Sequence, residues 1–292
     1  MKGEKYAAVT ERIVAELAKG CAPWVRPWNT TAASDLPTNV VSQRHYRGTN
    51  VLTLWIAQSA AGYPTGEWLT FKQALHLGGN VRKGESGSTI VYASAIDKTD
   101  DARDGEERTR RVPFMKAFTV FNVAQCERLP SPATPAAPLA PFERIANAEA
   151  FLRAIGADVR HGGDAAFFSP SADTITLPHP EAFHAPEHYY ATALHEHGHW
   201  TGAERRLNRQ FGKRFGDNAY AFEELVAELT SAFLCAELAL PGTLRHPEYL
   251  AHWIAILQDD TQAIWTASAR AAEAADYLAR CAGRADGDAQ AA

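Results

Sequence analysis

Five consecutive residues, His195-Glu196-His197-Gly198-His199, hold the chain's most reactive spacing. On a helix, side chains four apart project from one face, so His195 and His199 can bind one ion together. Glu196 lies beside that face and can take a proton from water that the ion has acidified. Tyr189 to Leu194 leads into this helix and Gly202 can end it. Gly198 costs about 1 kcal/mol relative to alanine in a helix interior, and it leaves room next to the ion. His197 sits roughly 200° around the helix from His195, so it is expected on the far face and not as a ligand. His179, His184 and His188 stand just upstream within reach of a cleft, although most surface histidines bind nothing.

Catalytic zinc requires a third protein ligand and one open position. Tyr220 to Leu229 reads as a strong helix in which Glu224 and Glu228 are four apart on one face. One of the two can bind the ion while the other hydrogen-bonds a ligand histidine. Glu224 is the preferred ligand and Glu228 the preferred support, with the reverse left open. Apart from the histidines, Glu223, Glu224 and Glu228 would read as a solvated acidic face. Tyr220 is a candidate donor to a transition-state oxyanion. Imidazole and carboxylate ligands point to one divalent metal ion, zinc by preference. The chemistry expected is metal-assisted peptide hydrolysis with Glu196 as general base.

The elements that must position these groups divide at a proline-rich stretch. Residues 129–141 include Pro130, Pro132, Pro135, Pro138 and Pro141, which favours an extended, semi-rigid spacer. The expectation is an α+β chain of two domains, 1–128 and 142–292, each able to bury its own core. In the first, helices are expected at Tyr6–Lys19, Val51–Ala60 and Trp68–Leu77, the last closed by Gly78-Gly79. Strands are expected at Ser88–Ala93 and Arg111–Phe121, with the charged stretch Asp97–Arg110 as the loop between them. The second is mainly helical, over roughly 142–155, 187–202, 219–239, 246–257 and 260–281, after a short strand pair near Ala166–Phe168 and Thr174–Thr176.

The net charge of −5 hides an asymmetry. Residues 1–130 carry 17 Lys and Arg against 13 Asp and Glu, whereas 131–292 carry 12 against 21. A polyanion would therefore favour the first half. Basic and aromatic residues are interleaved there: Trp24, Arg26 and Trp28, then Arg44, His45, Tyr46 and Arg47, then Trp68, Phe71 and Lys72, then Arg82 and Lys83. Such a mixture can stack bases and track phosphates of a single strand. It is equally the pattern of an aromatic core with a solvated rim. The four cysteines form no CxxC pair, which suits a reducing cytoplasm. No apolar run approaches the roughly 20 residues of a membrane span.

The segments Asn39–Asn50, Trp68–Ala74, Gly79–Glu85 and Phe118–Cys126 resemble the N-terminal domain of ArdC-type antirestriction proteins. His195–Gly202 and Glu223–Leu229 are similar to the zincin-like metallopeptidase domain that accompanies it. At Cys126 the chain departs from the family pattern, which usually has threonine there. The resemblance implies a protein of conjugative plasmids or phages that binds single-stranded DNA and shields incoming DNA from host restriction. Arg44, Tyr46, Arg47, Lys72, Arg82 and Lys83 are matched motif positions with the chemistry to contact DNA. The alternative is a cytoplasmic zinc metallopeptidase acting on a protein substrate, a host restriction enzyme among the candidates.

Overall fold

The computed structural model describes residues 2–20, 22, 24, 36–101, 107–130, 140–209, 218–241 and 249–284. Most of the expected spacer, and also Arg26 and Trp28, lie outside the described residues. The first half comprises α1 (Lys2–Ala18), β1 (Thr38–Asn39), α2 (Thr49–Ala61), β2 (Glu67–Thr70), α3 (Phe71–His76), β3 (Asn80–Val81), β4 (Ser88–Asp101), β5 (Glu107–Asn122) and β6 (Cys126–Glu127). The second comprises α4 (Pro141–Ile155), β7 (Asp158–His161), β8 (Phe167–Ser169), β9 (Thr174–Leu177), α5 (Pro186–Thr201), α6 (Asn218–Glu237), α7 (Leu250–Asp259) and α8 (Ala263–Cys281). The chain is α+β, as expected. Among these residues no helix is long and apolar enough to cross a membrane.

The four-stranded sheet runs β1-β2-β5-β4, antiparallel except for the β1–β2 pair. Two expectations differ here. Trp68-Leu69-Thr70 is strand, not helix, because Trp68 and Leu69 are fully buried and paired with Asn122 and Phe121 of β5. The helix begins only at Phe71. Thr70 caps it: its Oγ1 accepts from the Gln73 amide (3.2 Å), and Gln73 Oε1 accepts from the Thr70 amide (2.8 Å). This reciprocal capping box marks a helix start that hydrophobic spacing alone misses. The charged stretch after Ile96 is also largely strand. Its backbone register carries the β4–β5 ladder that starts at Ser88 opposite Val120 on to Asp101 opposite Glu107, so the pairing extends through the charged stretch instead of ending before it.

The second half places a small sheet, β7-β9-β8, against α5, with β8 as an edge strand. Its β8–β9 turn contains Asp173, with φ at 53°, paired to Arg205 and Arg206 just beyond α5. That pairing fixes the turn relative to the end of α5. Arg206 also lies over the Trp200 ring at 3.9 Å.

The expectation of a separate core for each half is not met. Ile13 and Leu17 of α1, together with Trp24, Leu54, Trp55 and Trp68, share one apolar cluster with Leu225 and Phe233 of α6, Trp253 of α7 and Ile264 of α8. Trp24 meets Trp253 with ring centroids 5.8 Å apart, and Trp55 meets Phe233 at 6.1 Å. Polar contacts cross the same boundary: Thr10 Oγ1 donates to the Thr261 carbonyl (2.7 Å), and Thr49 and Ser268 hydroxyls lie 2.5 Å apart. The physical reason is arithmetic of faces. Helix α6 is buried on nearly every side, so its apolar face needs a partner that the second half alone does not provide. A further cluster around Phe151, Ile175, Leu194, Leu234 and Leu278 encloses α5.

Close approach of α5 to α6 depends on Gly198. A Cβ there would lie 3.2 Å from the Ala227 Cα and 3.4 Å from its Cβ. The room that this glycine leaves is thus for α6.

Two outcomes follow from this packing. Calorimetry should record one unfolding transition spanning both halves, and Trp55→Ala should lower its free energy by about 3–5 kcal/mol; two independent transitions would contradict the shared core. Gly198→Val should force α6 outward at a cost of about 1–3 kcal/mol, measured by chemical denaturation against the parent chain.

Candidate metal centre

Helix α5 starts at Pro186, whose fixed φ suits the first helical turn, with Glu187 placed well against the helix dipole. From Tyr189 to Gly198 it is buried, and His195, Glu196 and His197 have almost no exposure. Helix α6 presents Glu223, Glu224 and Glu228 to it, all three buried. They do not form a solvated acidic face. Carboxylates without partners in such a seam would be strongly destabilising, so their contacts are decisive.

The contacts sort by ring nitrogen. His195 Nε2 and His199 Nε2 face one another at 3.1 Å. The Glu224 carboxylate closes a triangle with them, 3.4 Å from each. On the outer sides, His195 Nδ1 lies 3.5 Å from Glu228 and His199 Nδ1 lies 3.3 Å from Glu223. Each imidazole thus has a carboxylate behind it. Ligand bonds of about 2.0–2.1 Å in tetrahedral geometry put donor atoms roughly 3.3 Å apart, so the three inner groups fit a zinc-sized ion with one position left over. His195, His199 and Glu224 are the residues among those described whose donor atoms converge in this way.

Electrostatics follow from the same contacts. Burial pushes His199 down, but its bonds to Glu223 and Glu224 and the charges of Glu224 and Glu196 prevail and lift it to about 10. Burial likewise opposes charge on His195, and Glu224 and Glu228 outweigh it, raising that histidine too. Burial pushes Glu224 up, yet the two histidines hold it far below the usual carboxylate range. These contacts join the five groups in one cluster.

His197 points away, as its position on the helix predicts. Its Nδ1 lies 2.7 Å from the Ala193 carbonyl, and burial pushes it down to about 4. A cleft of about 290 Å³ opens over the inner triangle, lined by His195, Glu196, His199, Tyr220, Glu223 and Glu224 on the polar side. Ala166, Phe167, Phe168 and Pro170 of the β8 region make its apolar wall. Burial and the nearby charges of Glu224 and Tyr249 push the Tyr220 phenol well above its usual range, so it stays a donor. His179, His184 and His188 are exposed and line no part of this cleft. Sequence reasoning missed the role of Glu223 behind His199, and it missed Arg209, which pairs with Glu223.

The candidate DNA contacts are dispersed. Tyr46, expected at the surface, is 4% exposed in the shared core, and its hydroxyl accepts from the Asn39 amide at 3.1 Å. Its ring has no face open to a base. Trp24 and Trp68 are core as well. Arg47 is paired with Asp276 of α8, and Arg82 Nη2 with Glu85 at 2.6 Å. Arg44, Lys72, Arg82 and Lys83 are exposed. Beside Lys72, Phe71 and Leu75 are 46% and 52% exposed, and Val41 is 42% exposed. Asn39 joins the Val41 loop to α3, accepting from the Val41 and Ser42 amides and donating to Gln73.

Comparison with known proteins agrees with this geometry. Residues 3–121 match the family described as the N-terminal domain of anti-restriction factor ArdC, and residues 146–270 match the zincin-like metallopeptidase family. An uncharacterized protein of Sinorhizobium fredii, y4eC, is 41% identical over 280 residues, covering 94% of this chain and 91% of its own length. A DNA primase TraC of Escherichia coli is 37% identical over 94% of this chain, which spans only 20% of that protein. The metal-free crystal structure of the antirestriction ArdC protein from plasmid R388 superposes with a TM-score of 0.78 at 38% identity, covering 95% of this chain and 97% of that one. The Mn(II)-bound structure of the same protein gives 0.77 at 36% identity, covering 98% and 99%. The chain therefore belongs to the ArdC-type antirestriction family, with a zincin-like C-terminal region.

Proposed function

We propose that this protein protects incoming plasmid DNA from restriction by binding single strands through residues 1–128. Residues 142–292, beyond the spacer at 129–141, hold one divalent ion in a peptidase-like site. The observation that carries the metal reading is the triangle of His195 Nε2, His199 Nε2 and the Glu224 carboxylate, with edges of 3.1 and 3.4 Å. Zinc is preferred from the donor types, while a solved relative holds Mn(II).

A divalent ion held there supplies a Lewis acid that polarises a carbonyl and acidifies water. This chain's own residues supply the remainder. Glu196, in the cleft wall beside both histidines, takes the proton. Tyr220 donates a hydrogen bond to the oxygen on which negative charge develops. Glu228 and Glu223 engage the Nδ1 atoms and leave both Nε2 lone pairs facing inward. Phe167, Phe168 and Pro170 shelter one side of the cleft from water.

On the other half, exposed Phe71 and Leu75 beside Lys72, with Arg44 and Val41 in the adjoining loop, form an apolar ledge edged by cations. A ledge of this kind supports bases on the ring while Arg44, Lys72 and Lys83 follow phosphates. Tyr46 is committed to the core, whereas Arg47 and Arg82 reach solvent from surface ion pairs that a phosphate can compete for. The second reading makes proteolysis the protective activity, and the apolar cleft wall favours it.

Binding of labelled single-stranded and duplex DNA across a salt series tests the DNA half. Phe71→Ala should cost about 1–3 kcal/mol of single-strand affinity, and Lys72→Ala should reduce the salt slope by roughly 0.7. Unchanged affinity and slope in both would remove the ledge from the account. Glu196→Ala separates the two readings: protection of transferred DNA should survive it if binding is sufficient. Loss of protection with intact DNA binding would make proteolysis the effector.

A further inference from the structure

Beyond α5 the chain turns back on itself. The Leu207 amide donates to the Thr201 carbonyl (2.9 Å), the Asn208 amide to the Ala203 carbonyl (3.1 Å) and the Arg209 amide to the Gly202 carbonyl (2.8 Å). Asn208 takes a left-handed φ of 48°, a conformation that asparagine tolerates better than most residues. This return delivers a guanidinium into the seam between α5 and α6, where the Arg209 side chain is 4% exposed.

There it makes four bonds. Arg209 Nε and Nη2 grip both oxygens of Glu223, at 3.0 and 2.8 Å. Nη2 also donates to the Gly198 carbonyl (2.7 Å), and Nη1 donates to Thr201 Oγ1 (2.8 Å). The first pair holds the start of α6, and the second pair holds the last turn of α5, where a cation is favoured by the exposed carbonyls. Glu223, so held, accepts from His199 Nδ1.

We infer that Arg209 is a positioning residue for the metal centre, acting through Glu223 to fix the ring of His199. Lysine does not replace it, because only a planar fork grips both carboxylate oxygens while reaching two further acceptors. The arrangement also explains why Glu223 is buried beside Glu224 without mutual repulsion dominating: Arg209 neutralises the carboxylate that does not face the triangle. The inference rests on the metal reading above.

Mn(II) and Zn(II) titrations of the full-length chain by calorimetry, with thermal unfolding of each metal-free variant alongside, test it. Arg209→Lys and Glu223→Gln should each weaken metal binding roughly 10–100-fold. The double variant should be no weaker than the weaker single one, since both act on one ring. Thr201→Val removes one anchor of Arg209 and leaves Glu223 in place. It should give a smaller loss in the same direction, and it serves if either of the other variants does not fold. Wild-type affinity in variants whose metal-free unfolding temperature has fallen would assign Arg209 a purely structural role and overturn the inference. Losses that add in the double variant would separate Arg209 from Glu223 and overturn it equally. A parent chain that binds neither ion would overturn the metal reading itself, and this inference with it.

Discussion

The structure depends on one seam, the contact of α5 with α6. Three buried carboxylates of α6 meet the rings of His195 and His199 in it, and each ring has two of those carboxylates beside it. Sliding either helix by one turn would strand several charges in a medium that solvates them poorly, a penalty far larger than any single apolar contact. The seam can be this narrow because residue 198 is glycine and residue 227 is alanine. Register, spacing and charge balance therefore specify one another.

The same helix that carries the carboxylates carries the link to the other half. Glu224 and Glu228 face α5, while Leu225, Leu229 and Phe233 join the cluster built around Trp55 and Trp253. The N-terminal half is thus part of the scaffold of the metal centre, even though its exposed ledge at Phe71 and Lys72 belongs to a different surface. The Arg47–Asp276 pair and the Thr49–Ser268 contact fasten the start of α2 to α8 at the same boundary. A mutation in the first half that loosens this cluster acts on α6 directly, which couples the two halves through packing.

How much of this was legible in the sequence varies with the range of the signal. The histidine spacing and the ExxxE spacing are properties of a single helix, so both could be read from periodicity, and so could the turn of His197 away from the other two histidines. The choice between Glu224 and Glu228 needed the rotation of α6 against α5, which no local pattern contains. Glu223 looked like one more surface acid because its partner, Arg209, arrives from an irregular return after α5. Tyr46 and Trp68 carried the right chemistry for a DNA face but are consumed by the core, a decision made by tertiary packing. The start of α3 was within reach of the sequence: Thr70-Phe71-Lys72-Gln73 spells a capping box. The charged part of the long hairpin was not: it reads as a solvated loop, and only the β4–β5 register, running out to Asp101 opposite Glu107, makes it strand.

The most direct test of the central claim is anomalous diffraction at the metal edge from crystals of the chain loaded with Mn(II) or Zn(II). A single peak within bonding distance of His195 Nε2, His199 Nε2 and the Glu224 carboxylate is the predicted result. A peak held by any other set, with those three groups still facing one another without an ion, would contradict it.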